Sequence, residues 1–357
     1  MFRFCKKNFR LAALTALLLL PLVSALGQSP DDVVLRDDFD SELSLDWEVI
    51  RPDPSHASLE THPGKLTITT QYGSLQRSQD TAKNLYFIAP PEGMSDFVVT
   101  TCIEDFLPER HWQQAGLMFW DDDGDNFIKW VRDTHSMNYP LLNAYWESDH
   151  DAPHARIYSV EIPKEKFWLR VIKRGELYQC LASVDGENFV TYAIIPYNDG
   201  TPTKIGLVAK NGPCEGDIPA QFDFFELRPL TDEERNDPVC AACKALHGKW
   251  KVVERTLSGT LITDDPDTLF STWPGTLVIK EEEELDFGFT LNLESEPNQI
   301  TLIARHRGVG KLFNGIFSLD DDSLTVCLNM ELNGPAPDAF ESLEGDGFVL
   351  LNMERPE

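Results

Sequence analysis

Basic residues are scarce in this chain. It has 357 residues, with 31 lysines and arginines against 59 aspartates and glutamates, so its formal net charge is −28 at pH 7. Such an acidic surface repels nucleic acid and anionic lipid, and it favours neutral or cationic partners. We therefore expect no nucleic-acid partner.

Long apolar runs are almost missing. The one sustained run, residues 11–23, follows several basic residues and precedes the small residues at 24–27. It is shorter than the roughly 20 residues that cross a bilayer, and its flanks are typical of a secretory signal. We expect residues 1–27 to be a signal peptide, the protein to be secreted or periplasmic, and no segment to span a membrane.

Cysteine is also sparse, with six beyond the leader region. Cys240 and Cys243 form a Cys-x-x-Cys pair. No histidine follows it, as haem attachment would require, and no second pair completes a zinc site. An even count in an exported chain fits either structural disulfides or buried thiols, and the sequence leaves the pairing open.

Familiar catalytic motifs are absent as well. The sequence shows no phosphate-binding loop, no metalloprotease helix and no evident order of serine, histidine and aspartate. A catalytic triad can still be assembled from distant positions, so this absence does not exclude every hydrolase.

The residues that are present form many short β patterns separated by turn residues such as Pro63-Gly64 and Asp185-Gly186. No convincing long amphipathic helix interrupts them, which indicates an all-β sandwich or barrel. We expect a β-sandwich over residues 28–230 and a linker with a short helix over 231–245. The capping-box spacing of Thr231 and Glu234 predicts the start of this helix, and Asp237-Pro238 is expected to stop it. A second, smaller β domain is expected over 246–357.

One acidic stretch, Trp120 to Asn126, reads WDDDGDN between two apolar strands. Aspartate, asparagine and glycine suit the tight turn of a hairpin, and this is the favoured interpretation. Calcium is the alternative, with Asp121, Asp123 and Asp125 as candidate ligands. Catalytic carboxylates are the least favoured, because a glycosidase needs two acids facing each other across a cleft.

A family resemblance emerges from several short pieces in order. Asp37-Asp38-Phe39 precedes Leu45-Asp46-Trp47, and later come Gln114 to Met118, Asn126 to Trp130 and Phe167 to Val171. This string resembles the concanavalin A-like domain of the beta-xylosidase C-terminal type. The resemblance implies a jelly-roll sandwich of two antiparallel sheets, a fold widely used to bind carbohydrate. The chain has no room for the catalytic propeller that accompanies this domain in xylosidases.

The second domain has a resemblance of its own. Its opening, Leu246-x-Gly248-x-Trp250, is similar to the start of lipocalin-like barrels and to a small LxGxW domain of planctomycete type. This resemblance implies an antiparallel lipocalin-like β-barrel, with Trp250 plugging its base, and carries no activity.

Aromatic rings are the candidate ligand-binding groups, because sugars stack on flat apolar faces. The candidates are Trp112, Trp130, Tyr145 and Trp146. Strand alternation puts Trp130 and Arg132 on one face, and the arginine suggests that this face opens onto a groove. The opposing interpretation is that tryptophans in a sandwich are core residues.

Three functions remain open from the sequence. The preferred one is an exported, non-catalytic carbohydrate-binding protein that recognises a polysaccharide or glycan, with calcium as a possible cofactor. The second is a scaffold that contacts an envelope protein without binding sugar. The third, and weakest, is a glycoside hydrolase, which would require an acid pair across a cleft.

Overall fold

The computed structural model describes residues 33–76, 79–110, 112–121, 126–134, 140–147, 154–157, 165–197, 201–213, 216–262, 269–273, 276–280, 284–304 and 312–356. Within these ranges the chain forms antiparallel β-sheets and two short helices. The predicted all-β class is confirmed.

The first part of the chain contains strands β1 to β17. Their bounds are β1 (Leu35–Asp37), β2 (Glu48–Ile50), β3 (Ala57–Ser58), β4 (Leu66–Thr69), β5 (Leu75–Gln76), β6 (Gln79–Asp80), β7 (Leu85–Ile88), β8 (Phe97–Glu104), β9 (Gln114–Trp120), β10 (Phe127–Thr134), β11 (Pro140–Glu147), β12 (His154–Ile157), β13 (Lys166–Arg174), β14 (Leu177–Ser183), β15 (Val190–Pro196), β16 (Lys204–Lys210) and β17 (Pro219–Arg228).

These strands form two facing sheets of a jelly-roll-like sandwich. The eight-stranded sheet has the order β15-β14-β13-β8-β17-β4-β3, with β1 beside β17. The seven-stranded sheet has the order β12-β11-β10-β9-β16-β7-β2, and β5 and β6 form a separate hairpin. The chain crosses between the two sheets several times, for example from β7 to β8 and from β8 to β9. The predicted antiparallel sandwich is confirmed.

Strand alternation explains how each sheet buries one face. On β13, Phe167, Leu169 and Val171 are buried in the core between the sheets, whereas Trp168 and Arg170 are less buried and lie outside that core. Burying each such large apolar side chain contributes about 1.5–3 kcal/mol. The strand β10 differs, because all its residues are buried, so its outer face is covered as well.

The opening motif has a structural role. Asp37 is 1% exposed, and its carboxylate accepts hydrogen bonds from the backbone amides of Phe39 at 3.0 Å and Ser44 at 2.8 Å. It also accepts one from the indole Nε1 of Trp47 at 2.8 Å. The aspartate thus fixes a tight loop, in which Phe39 has a φ of 54°, and seats Trp47 against the core.

Two helices join the two parts of the chain. They are α1 (Asp232–Arg235) and α2 (Pro238–Leu246). Thr231 caps α1 through a reciprocal capping box with Glu234, as the spacing predicted. The sequence analysis expected Pro238 only to stop this helix. In the structure Asp237 caps α2 and Pro238 begins it, because proline suits the first helical position.

The second part of the chain forms a nine-stranded antiparallel sheet. Its strands are β18 (Gly248–Leu257), β19 (Thr260–Ile262), β20 (Leu269–Trp273), β21 (Thr276–Lys280), β22 (Glu284–Asn292), β23 (Gln299–Ala304), β24 (Leu312–Asp320), β25 (Ser323–Asn329) and β26 (Phe348–Glu354).

Trp250 lies at the centre of the second core. Its side chain is fully buried, its Nε1 donates to the carbonyl of Leu246 at 2.8 Å, and the guanidinium of Arg355 lies 3.9 Å from its ring centre. Leu177 and Ile194 of the sandwich belong to the same apolar cluster. The two parts of the chain therefore share buried surface.

Candidate functional site

A cleft of about 390 Å³ lies on the outer face of the seven-stranded sheet, on the side away from the sandwich core. Strands β9, β10, β11 and β16 provide its floor. Its lining residues come from these strands and from three flanking segments: Tyr72, Gly73, Ser74, Leu75, Gln79, Trp112, Gln114, Phe127, Lys129, Tyr145, Trp146, Glu147, Lys210, Gly212 and Pro213.

The floor follows from strand register. Phe127 pairs with Glu147 and Lys129 with Tyr145 across β10 and β11, while Gln114 pairs with Lys210 across β9 and β16. Directly opposed residues point to the same side of a sheet, so these pairs present their side chains on one face. Apolar rings and charged ends are thereby interleaved over four neighbouring strands.

Aromatic rings stand at the mouth of the cleft. Tyr72 is 64% exposed, and Trp112 is half-buried with its ring centre 6.1 Å from that of Tyr145. The Tyr72 segment is attached to the wall, because the amide of Asn211 donates to the carbonyl of Gln71 at 2.9 Å. This backbone hydrogen bond holds the segment that carries the Tyr72 ring beside the cleft.

Charged groups lie under these rings. Asp133 is fully buried, and its Oδ2 accepts from the Nε2 of Gln114 at 2.9 Å and from the hydroxyl of Tyr145 at 2.5 Å. The Nζ of Lys129 donates to the Oε1 of Gln114 at 3.0 Å and lies 4.8 Å from the ring centre of Tyr145. This network holds Gln114 and Tyr145 in fixed positions.

Burial shifts the pKa values of these groups toward their neutral forms. Burial raises the pKa of Asp133, and it lowers the pKa of Lys129 well below its usual value, with a further lowering from the nearby Lys210. Burial also lowers the pKa of Lys210 to about 8, against a smaller opposing effect of Asp133. The floor is therefore a desolvated polar site.

Hydrolysis of a glycoside by the usual route needs two carboxyl groups about 5 to 9 Å apart across the scissile bond. Among the described residues that line the cleft, Glu147 is the one acid. Asp133 lies beneath the floor, already engaged by its neighbours, and does not line the cleft. The described lining residues therefore contain no such pair of acids.

Three of the predicted ligand residues meet at this cleft. Trp112, Tyr145 and Trp146 all line it, although Trp146 also packs against the sandwich core. Tyr145 and Trp146 are adjacent on β11, whereas Trp112 lies in the segment before β9, and the fold brings the ring centre of Trp112 to 6.1 Å from that of Tyr145.

The predictions for Trp130 and Arg132 need correction. Trp130 is fully buried between the sheets, and its Nε1 donates to the carbonyl of Leu181 at 2.7 Å. Arg132 is 1% exposed, with its guanidinium 4.9 Å from the ring centre of Phe167. The alternation was assigned correctly, but this face points into the core, and the opposite face, with Lys129, borders the cleft.

The acidic turn is only partly described. Asp121 is half-buried, and its amide donates to the carbonyl of Asn126 at 3.1 Å, which closes the hairpin between β9 and β10. Asp123 and Asp125 lie outside the described residues. The calcium site therefore stays a prediction.

Four further residues that line the cleft were not predicted from the sequence. Tyr72 stands in a polar segment, and Gln114, Lys129 and Lys210 lie in strands that read as structural. A lysine within each of two apolar strands was a usable signal, because a lysine is seldom fully buried without a partner or a function.

A second cluster of possible ligands lies on the eight-stranded sheet. The Sγ of Cys102 and carboxylate oxygens of Glu104 and Asp223 lie within 4.8 Å of one another. Lys166 occupies this position, with its Nζ 2.7 Å from Glu104 and 3.2 Å from Asp223. Burial raises the pKa of the Cys102 thiol to about 12, and both carboxylates of the cluster are paired with Lys166 in this structure.

Three of the described cysteines are free thiols. Cys102, Cys180 and Cys327 are buried and free, and Cys243 is buried as well. Of the two interpretations left open by the sequence, buried thiols hold for Cys102, Cys180 and Cys327. In a separate respect, no helix among the described residues is both long and apolar enough to cross a membrane.

Comparison with known proteins gives a family match. Residues 36–228, more than half of the chain, match the model of the beta xylosidase C-terminal concanavalin A-like domain. The match covers that C-terminal domain and no catalytic domain. No curated protein matches the chain.

Solved structures with a similar fold include bacterial glycoside hydrolases. The GH43 BlXynB protein from Bacillus licheniformis is 20% identical with a TM-score of 0.49, over 55% of this chain and 39% of its own. The xylan beta-1,4-xylosidase from Bacillus halodurans C-125 is 22% identical with a TM-score of 0.46, over 54% and 38%. This chain thus spans about two fifths of their length.

Proposed function

The chain belongs to the family of beta xylosidase C-terminal concanavalin A-like domains, and from this premise we propose that it is a non-catalytic protein that binds a polysaccharide or glycan. The bound sugar would lie in the cleft on the seven-stranded sheet. The observation that carries the proposal is the exposed ring of Tyr72 and the half-buried ring of Trp112 above a polar floor.

The physical basis is the mixed character of a sugar. Its C–H faces stack on aromatic rings, and its hydroxyls need donors and acceptors close by. The cleft supplies rings at Trp112, Phe127 and Tyr145, and polar groups at Gln114 and Lys129. A cleft lined by apolar rings and a few fixed polar groups is the usual form of a ligand-binding site.

A non-catalytic role is the better-supported form of this proposal. The cleft lacks an acid pair among its described lining residues, and the family match is to a C-terminal domain. Export is part of the proposal too, supported by the signal-like pattern of residues 1–27.

We assign the second domain a lipocalin-like barrel architecture as part of the same proposal. Support comes from strand pairing, because β18 pairs with β20 at one edge and with β26 at the other, so the ladder of paired strands returns to its start. The buried Trp250 sits among its apolar residues. The void among the described residues of this core is only about 20 Å³, which is too small for a sugar.

The test is calorimetry of the full chain with xylan, arabinan, glucan and galactan, supplemented by acidic polysaccharides. We expect at least one to bind, with the affinity reduced in Trp112→Ala and kept in Trp168→Ala. Trp168 is a matched control because it lies on the other sheet, with the Nζ of Lys166 5.1 Å from its ring centre. Binding that survives Trp112→Ala unchanged would place the site elsewhere.

A further inference from the structure

The floor of the cleft contains a buried cation with few acceptors. Lys210 ends β16, is 6% exposed and lines the cleft opposite Gln114. Among the described residues, its Nζ reaches one acceptor, the carbonyl of Asn211, at the long distance of 3.5 Å. An ammonium group can donate three hydrogen bonds, so two of its donors are not used by the described residues.

The neighbouring Lys129 and Asp133 already make hydrogen bonds of ordinary length. The Nζ of Lys129 already donates to Gln114, and the Oδ2 of Asp133 accepts from Gln114 and Tyr145. Glu147 lies on the floor across from Phe127. Lys129 and Lys210 each make one hydrogen bond to the described residues, but that of Lys210, at 3.5 Å, is the longer, so Lys210 is the more weakly bound cation of the floor. Burying a charge in this state is unfavourable unless something binds it.

We infer that the cleft selects acidic sugars, with Lys210 binding the carboxylate of a uronic-acid unit; this rests on the proposed glycan-binding function. A ligand carboxylate supplies the acceptors that Lys210 lacks. It also relieves the repulsion between Lys129 and Lys210, which face the same space. Such charge-assisted hydrogen bonds are shorter and stronger than those between neutral groups.

The acidic surface of the chain does not oppose this selection at close range. The net charge of −28 is spread over the whole sequence, and at about 0.1 M salt exposed charges are screened beyond roughly 10 Å. A carboxylate in contact with Lys210 interacts with that charge directly, whereas Glu147 and Asp133 of the same floor oppose it, so the selection depends on a direct hydrogen bond to Lys210. The expectation of neutral or cationic partners, drawn from net charge alone, does not apply to this site.

The test uses three acidic polysaccharides, glucuronoxylan, polygalacturonate and alginate, each with its carboxyl-reduced counterpart. Binding to the full chain is measured by calorimetry. We expect at least one acidic polymer to bind about tenfold more tightly than its reduced form, since a hydrogen bond to a charged group contributes about 1.5–3 kcal/mol. In Lys210→Met this preference should disappear.

Lys204→Met provides the matched control. Lys204 begins the same strand, and its Nζ pairs with Glu48 at 2.8 Å, outside the cleft lining. The preference for acid should survive in this variant. Equal affinity for acidic and reduced forms in the native chain overturns the inference and leaves the proposed function standing. If none of these six polymers and none of the neutral panel binds, the proposed function fails and the inference with it.

Discussion

Trp112 packs so closely over Gly212 that a Cβ added to the glycine would lie 2.5 Å from the Cβ of the tryptophan. That distance is shorter than real contacts allow, so one of the two must move. The position of the Trp112 ring at the mouth of the cleft therefore depends on residue 212 being a glycine, which has no side chain.

Gly212→Ala is predicted to keep the fold and weaken glycan binding about threefold or more, because it displaces the Trp112 ring from its stacking position. Calorimetry with the bound polysaccharide gives the affinity, and thermal unfolding checks the fold. In the double variant with Trp112→Ala the ring is already absent, so the glycine change should weaken binding no further, although its contact with the Cβ of residue 112 remains and can still lower stability. Additive losses would show that Gly212 acts independently of Trp112.

Trp112→Ala is predicted to reduce affinity about fivefold, since a ring stacking contact contributes about 1 kcal/mol beyond buried area. Stability should change little, because the ring is only half-buried and lies outside the main core. Competition titration of the native and altered chains on one polysaccharide gives the ratio. A large fall in melting temperature would instead assign Trp112 a structural role.

Trp130→Ala should behave in the opposite way. Its ring fills the space between the sheets, and removing such a side chain costs about 3–5 kcal/mol. The lost indole also leaves the carbonyl of Leu181 without its donor. Urea unfolding is the measurement, and Trp168→Ala on the outer face is the comparison. An unfolding midpoint unchanged from the native chain would contradict the burial of Trp130.

Lys210→Met is predicted to stabilise the chain at pH 7. The pKa of Lys210 is about 8 in the fold, against about 10.4 in an unfolded chain. Between these values the unfolded state binds more protons, so the stability of the native chain rises with pH. The advantage of the variant is therefore largest below pH 8 and shrinks as pH rises toward about 10.4.

Denaturant titrations of both chains from pH 6 to pH 10 measure this difference. Lys129 and Asp133 interact with the charge of Lys210, so the measured difference reports Lys210 together with its effect on these two neighbours. A constant difference over the whole range would mean that Lys210 titrates normally. If Lys210→Met is more stable and also loses the preference for acidic sugars, Lys210 serves binding although it destabilises the fold.

The sequence predicted the sandwich well because its strands carry the signal locally. The β-branched runs of β8 and the alternation of β13 point to half-buried strands, and the Asp37 motif fixes its own loop. Helix α1 follows from the capping box, whereas α2 was missed because Pro238 was assigned only a terminating role.

The residues that line the cleft were harder to predict, because they are determined by strand register and by which sheet each strand joins. Alternation separates Trp130 from Lys129 on β10, but it cannot say which side faces the second sheet. The arginine at position 132 suggested the wrong side, since a buried guanidinium over Phe167 is unusual in a core. Tyr72 joins the site only through the contact of its segment with Asn211, which nothing in the local sequence indicates.

The shared apolar cluster has a mechanical consequence. Leu177 and Ile194 of the sandwich are buried together with Leu246 of α2 and with the strands that follow. Arg174 and Arg228 add ion pairs to Asp237 and Glu234 across the same junction. Separating the two parts of the chain would expose these apolar side chains to water, so the connecting segment cannot serve as a free hinge. Heating should therefore unfold both parts in one common endotherm.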